Sequence, residues 1–345
     1  MEIYATNVNQ ALSEGLRYLL VAGVEETSRN GLVLVSPEPV MTIYKHPCER
    51  VLFSPIRDAN PFFHLMESLW MLAGRNDLEW PKYFNSNFSQ YSDDGVTVRG
   101  AYGHRWLKHF GYNQLEILAR ELKEKPDTRR AVLTMWDATE GAVHHRIFTP
   151  IPIPSDLEVI SGSKDVPCNT HCYFDCRGGK LNMTICCRSN DALWGAYGAN
   201  AVHFSMLLEY MAAWVGIPVG VMRQFSNNLH IYKDILGDPN GISRMSADAK
   251  DNDFYHYYDR DLKPYPLVSH TITSWQQDLE TFMASPGMYT FKYDNSFFPE
   301  VAHPMYRAWH NRKAKLSDGL DAVRQIKAED WSVACATWIH RREKA

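Results

Sequence analysis

The stretch VPCNTHCYFDCRGGKLNMTICCRSND, residues 166–191, decides how the rest of the chain is read. Thr170 to Arg177 alternates as a β-strand, Gly178-Gly179 is a turn signal, and Lys180 to Arg188 returns as a second strand. Cys168 stands just after a proline at the mouth of this hairpin, and the returning strand closes in Arg188-Ser189-Asn190-Asp191. The arrangement sets a thiol near a guanidinium and a carboxylate. Arg188 is expected to depress the pKa of Cys168 and raise its thiolate fraction, which makes Cys168 a candidate nucleophile. The plainer alternative is a buried structural cysteine, the common fate of a free thiol.

The hairpin also holds His171, Cys172, Cys176, Cys186 and Cys187, which invite a zinc reading. The spacing speaks against it. No pair of C-x-x-C knuckles is present, and Cys172 and Cys176 fall in strand alternation with Phe174, as core-facing residues do. A Cys–His hydrolase built on His171 is also disfavoured, because that histidine shares a hairpin arm with Cys168.

Composition bounds the remaining classes. The 345 residues are 45% hydrophobic and 22% charged, enough for a large core. A formal charge of −4 without a long basic run argues against a general nucleic-acid or anionic-membrane surface. No apolar run is long enough to span a bilayer, and no basic region followed by an apolar run opens the chain, so a cytoplasmic protein with free thiols is expected.

Outward from the hairpin, helical spacing predicts a helix over Val8 to Ala22 and an amphipathic one over Gln114–Lys123, while apolar composition almost all round predicts a buried helix over Phe62 to Ala73, opened by Pro61 and carrying Glu67, and a core helix over Asn200 to Val215. Strands are expected at Leu32–Val35, Met41–Tyr44, Ala131–Trp136 and Gly220–Ser226. Glu25 to Gly31 reads as a polar loop, residues 75–100 as a loop-rich aromatic wall or lid, and 137–165 as an irregular excursion. Residues 236–265 read as a surface insertion, and a charged helical extension covers about 303–345. One α+β domain spanning 1–345, with a large mixed sheet packed by helices, is the simplest organisation.

Four arginines could converge on a phosphate: Arg29, the adjacent pair Arg129 and Arg130 before a strand, and Arg188. Guanidinium forks suit a dianion because they offer paired N–H donors, although any one alone reads as surface charge. His230 and Tyr232 alternate on one face of an extended run, as donors to sugar hydroxyls or as core residues.

Taken in order, these pieces resemble the thymidylate synthase and pyrimidine-nucleotide hydroxymethylase family over most of residues 20 to 233. The resemblance rests on P-C before the hairpin, G-G-K-L at its turn, C-R-S-N-D at its close, D-T-R-R before a strand, N-N-L-H-I-Y, M-E-S-L-W-M-L-A-G and G-A-Y-G-H-R-W. It implies that Cys168 adds to C6 of a pyrimidine nucleoside monophosphate, so that C5 attacks the one-carbon unit of 5,10-methylenetetrahydrofolate. It further implies that Arg29, Arg188 and Ser189 hold the 5′-phosphate, joined by Arg129 and Arg130 from the partner of a homodimer whose interface is the sheet. His230 and Tyr232 would hold the sugar 3′-hydroxyl, Glu67 would organise water and protons near the 4-position, Tyr102 would assist loss of the C5 proton, and Asp191 would contact the pterin.

The sequence departs from the synthase pattern in four places. Asn169 follows the nucleophile where synthases usually carry histidine. Trp194-Gly195-Ala196-Tyr197-Gly198-Ala199-Asn200-Ala201 matches the synthase segment only with one extra residue before the base-reading Asn200. Phe88, with Tyr91 nearby, stands where a tryptophan covers the one-carbon unit, and a charged helix stands where an apolar tail closes over folate. A wall and lid altered in this way admit water to the exocyclic methylene intermediate, unless Trp80 or Trp194 restores the wall. The expected product is therefore a 5-hydroxymethyl nucleotide, with reductive methylation of dUMP to dTMP as the alternative. Known deoxycytidylate hydroxymethylases carry aspartate at the base-reading position. Here Asn200, with Asn169 beside it, favours uracil marginally over cytosine and leaves the sugar open.

Overall fold

The computed structural model describes residues 1–28, 31–138, 154–238, 240–256, 262–288 and 290–343. The hairpin is the spine of a six-stranded mixed sheet in the order β1 (Glu2–Ala5), β4 (Val40–Tyr44), β9 (Val219–Ser226), β7 (Lys180–Cys187), β6 (Asn169–Arg177), β5 (Val132–Thr134). Strands β6 and β7 pair antiparallel up to Arg177 opposite Lys180. The turn between them is Gly178-Gly179, both at positive φ (60° and 71°), the backbone that a two-residue hairpin turn with right-handed strand twist requires. A second sheet runs β2 (Val24–Ser28), β3 (Gly31–Val35), β10 (Leu229–Tyr232), β8 (Asn190–Asp191). The α+β class and the large mixed sheet packed by helices are as expected, with this smaller sheet in addition.

Helices pack against one face of the large sheet. Helix α1 spans Val8–Ala22, and Asn7 caps it by accepting from the Asn9 and Gln10 amides. Helix α2, Pro61–Leu72, is buried on every side, as its apolar composition demands. Asn60 caps it and Pro61 sits in its first turn. Helix α3 is Gln114–Glu124, and α4, Asn200–Val215, packs along α2.

Some expectations need correction. Residues 24–28, read as loop from Glu25, form β2, an edge strand exposed on both faces, so no inside–outside alternation marks it in the sequence. The 75–100 region carries short helices at Glu79–Phe84 and Ser86–Tyr91. The 236–265 region holds α5, Gly241–Asp251, which buries Ile242, Met245 and Ala249 against α1, so this stretch is partly core. The C-terminal helices α6 (His303–Asn311), α7 (Leu316–Val323) and α8 (Glu329–Glu343) dock through Trp309 and Trp338 onto Phe62 of α2, with ring centroids 5.6 and 5.7 Å away. Arg341 and Arg342 pair with Asp58 just before α2.

The buried acid Asp330 in α8 accepts from the Tyr255 hydroxyl at 2.8 Å, yet burial pushes its pKa up to about 6. A raised carboxyl pKa means that the folded state favours the neutral acid. This contribution is fully present below the ordinary value of 3.8 and is lost as pH rises through about 6. Asp330→Asn should therefore shrink the loss of stability between pH 5 and pH 8 by about 1 kcal/mol. Denaturant melts of both proteins at the two pH values check this.

Candidate active site

Cys168 lies one residue before β6, and Arg188 lies one residue after β7, on the neighbouring end of the hairpin. The Arg188 amide donates to the Cys168 carbonyl at 2.8 Å. Its guanidinium donates to the Pro167 and Val166 carbonyls at 2.9 and 2.8 Å, and Nη2 stands 3.8 Å from the Cys168 sulfur. Arg188 thus clamps the chain that carries the thiol and places positive charge against it. The expected net depression of the thiol pKa does not follow. Burial pushes the Cys168 pKa up, Arg188 pulls it back only in part, and Asp165 pushes the same way as burial.

A β-bulge lies directly after the nucleophile: Asn169 pairs with Cys187, whereas His171 pairs with Cys186. The extra residue re-aims the strand and leaves Asn169 fully buried. Its backbone N–H donates to the Tyr102 hydroxyl at 3.2 Å. Burial and then the neighbouring Cys168 hold the Tyr102 pKa well above its usual value, so the phenol keeps its proton.

The extra residue before Asn200 also has a structural reason. Residues Ala192–Ala199 form wide turns broken by a kink at Tyr197 and Gly198, whose backbone is not helical, and this irregular segment makes room for one inserted residue before α4 begins at Asn200. The Asn200 side chain thereby meets Asn169, whose Nδ2 donates to Asn200 Oδ1 at 3.3 Å. Arg57, buried and missed in the sequence, fixes this turn by donating to the Leu193 carbonyl at 3.2 and 2.8 Å and lying 4.5 Å over the Trp194 ring.

Glu67 on α2 is buried and faces α4, where His203 Nε2 lies 3.1 Å from its carboxylate. One turn before Glu67, burial and then the Arg57 charge hold His64 well below its ordinary pKa, so it is neutral. His203 and His64 also escaped the sequence reading. The signal for them was present: buried histidines on the faces of two apolar helices that must pack together.

Asp191, His230, Tyr232 and Tyr91 come together around a cleft of about 710 Å³ with Trp194, Gln90 and Lys164. Strand β10 places His230 beside Asp191 in parallel register, and the His230 Nδ1 is 2.8 Å from Asn228 Oδ1. Asp191 accepts from the Leu193 and Trp194 amides with Oδ1, while its buried Oδ2 has no partner. Burial raises its pKa against these hydrogen bonds. Phe88 packs behind Tyr91 with ring centroids 5.6 Å apart, and also against Phe63 at 5.7 Å. Trp194 is 57% exposed at the cleft, whereas Trp80 is buried with its indole N–H on the Met66 carbonyl, so only Trp194 can serve as a wall. A larger cleft of about 910 Å³ beside Trp309 and Arg312 is lined by no thiol.

Ser189 follows Arg188, and its carbonyl accepts from the Cys187 thiol. Of the other phosphate candidates, Arg129 and Arg130 are not gathered here. Arg29 lies outside the described residues. Arg129 and Arg130 are exposed just before β5, which pairs Val132 with Tyr173. At about 3.4 Å per residue, Arg130 sits roughly 20 Å along the strand from Asn169, too far to reach the thiol of its own chain.

Residues 20–245 match the family model described as thymidylate synthase. A deoxyuridylate hydroxymethyltransferase of Pseudomonas phage M6 is 43% identical over 351 residues, covering 99% of this chain and 95% of the relative. The chain belongs to the thymidylate synthase family. A second deoxyuridylate hydroxymethyltransferase, from Bacillus phage SP01, is 34% identical and covers 71% of this chain and 63% of its own. The solved thymidylate synthase from T4 phage aligns with a TM-score of 0.49 and 16% identity, over 65% of this chain and 77% of that one. The protein is accordingly an enzyme of one-carbon transfer. The family's cosubstrate is 5,10-methylenetetrahydrofolate, and the unpartnered carboxylate oxygen of Asp191 beside an aromatic cleft fits a ring that offers N–H donors. Among the described residues no helix is long and apolar enough to cross a membrane.

Proposed function

We propose that the enzyme hydroxymethylates C5 of deoxyuridine 5′-monophosphate through a covalent Cys168–C6 adduct. The observation that carries this is the likeness to the phage M6 enzyme along almost the whole of both chains. Methylenetetrahydrofolate supplies the one-carbon unit. Cys168 as thiolate forms a bond to C6, which makes C5 a carbon nucleophile. Arg188, ahead of Ser189, reaches from the clamped loop to the 5′-phosphate, together with Arg29. Arg129 and Arg130 of the partner subunit complete the phosphate site, a reading supported by their distance from the thiol of their own chain. His230 and Tyr232 receive the sugar hydroxyl. Asn200 faces the base, Glu67 with His203 orders water near the 4-position, and Tyr102 assists departure of the C5 proton. Asp191, Phe88 and Tyr91 form the folate side of the cleft. C5 bonds to the one-carbon unit, loss of the C5 proton expels tetrahydrofolate unoxidised and leaves an exocyclic methylene, water adds to that methylene, and the Cys168–C6 bond then breaks to free the thiolate.

A homodimer built on the sheet is supported by one row of side chains. Register places Tyr4, Ile43, Arg223, Thr184, Tyr173 and Val132 side by side across all six strands, each exposed or half-buried. A face of this mixed apolar character suits a second copy.

The test is to incubate the enzyme with methylenetetrahydrofolate and either dUMP or dCMP, and to weigh the nucleotide. A 5-hydroxymethyl product from dUMP is expected, and a methyl product or turnover confined to dCMP contradicts the reading. Phe88→Trp should leave nucleotide affinity within about threefold and slow the hydration step by about tenfold, because it narrows water's approach to C5. Single-turnover product formation measures that.

A further inference from the structure

Three buried amides stand in a row beside the nucleophile. Asn169 Nδ2 donates to Asn200 Oδ1 at 3.3 Å, Asn200 Nδ2 donates to Asn190 Oδ1 at 3.1 Å, and Asn190 Nδ2 donates to Ser226 Oγ at 2.9 Å. Their exposures are 0%, 9% and 1%, and Ser226 is 2% exposed on a strand paired on both sides. At the near end, Asn169 Oδ1 is buried with no hydrogen-bond partner, next to Cys168. We propose that Asn190 is a positioning residue that fixes which way the Asn200 amide faces, and with it the choice of uracil over cytosine. The inference rests on the reading that Asn200 faces the base.

The two bases differ by an exchange of donor and acceptor. Uracil offers N3–H and O4, and cytosine offers N3 and N4–H₂. A free asparagine amide serves either, because a half-turn about its last torsion swaps its own donor and acceptor. Within the row, that half-turn would set oxygen against oxygen at Asn190 and NH₂ against NH₂ at Asn169. Both bonds would be lost, so the Asn200 amide turns only if Asn169 and Asn190 turn with it, and Asn190 ties that turn to Ser226 on the paired strand. Gly195 belongs to the same device. A Cβ there would overlap Asn190 Oδ1 and lie 3.2 Å from Asn200 Nδ2, so glycine leaves the room that the Asn190–Asn200 bond occupies.

The experiment compares binding of dUMP and dCMP by calorimetry, and kcat/KM for each, in wild type, Asn190→Ala, Asn190→Asp and Gly195→Ala. Asn190→Ala should lower the preference for dUMP by about tenfold or more, with dCMP binding gained as dUMP binding is lost. Asn190→Asp should keep the preference, since a carboxyl oxygen still accepts from Asn200 and the Ser226 hydroxyl can turn to donate. Gly195→Ala should lower it without altering any amide. A folded Asn190→Ala enzyme with the wild-type preference overturns the proposal. If that variant does not fold, an unchanged preference in Gly195→Ala, or a lost one in Asn190→Asp, overturns it. A wild-type enzyme that turns over neither nucleotide sinks the functional reading itself, a result distinct from an unchanged ratio.

Discussion

Replacing Cys168 with alanine is expected to abolish tritium release from C5-labelled dUMP, by at least about four orders of magnitude in kcat. C6 of a pyrimidine needs a nucleophile before C5 acquires carbanion character, and among the described residues no other thiol is placed beside Arg188 to serve. His171 shares the strand but bonds Thr170, and Cys187 donates to the Ser189 carbonyl from a buried position. Cys172 packs in the core. The loss should fall on chemistry and not on affinity, because the phosphate and sugar ligands are untouched. Calorimetry should find dUMP bound within a few-fold of wild type. Retained tritium release would place the nucleophile elsewhere.

The second large effect concerns Arg188. Arg188→Ala should reduce kcat/KM by about a thousandfold, since one side chain clamps two carbonyls of the nucleophile loop, faces the thiol and is assigned to the phosphate. Burial already raises the Cys168 pKa, and Arg188 is what opposes it. The thiolate is the reactive form, so alkylation of Cys168 should accelerate as pH rises, and removing Arg188 should move that limb to still higher pH. Iodoacetamide labelling followed by peptide mapping at residue 168 gives both profiles without relying on turnover. Arg188→Lys should restore part of the charge effect and little of the clamp, because an ammonium cannot bridge two carbonyls in a fixed fork. An alkylation profile in Arg188→Ala that overlies wild type would remove the arginine from thiol activation.

The parts of the fold written in local pattern were legible in the sequence. Val8–Ala22 keeps helical spacing from end to end, Asn200–Val215 is a long and nearly all-apolar run, Pro61 marks a first turn, and Gly178-Gly179 sits between alternating runs. What escaped depends on partners distant in sequence. Strand β2 has no buried face to reveal it. The bulge between Asn169 and His171 exists only in the register with β7, so nothing in the sequence shows that Asn169 turns fully inward. The pairing of Glu67 with His203 needs two helices to cross, and that of Asn200 with Asn190 needs the kinked segment between them. The expectation for the Cys168 pKa weighed the charge of Arg188 and not the depth of the pocket, since burial is a tertiary quantity.

Hydroxymethylation is tested most directly by the stoichiometry of one reaction: C5-tritiated dUMP with methylenetetrahydrofolate, following tritium, nucleotide and folate together. One tritium is expected to be released for each 5-hydroxymethyl nucleotide formed, with folate recovered as tetrahydrofolate. Thymidylate accompanied by an equal amount of dihydrofolate would contradict it.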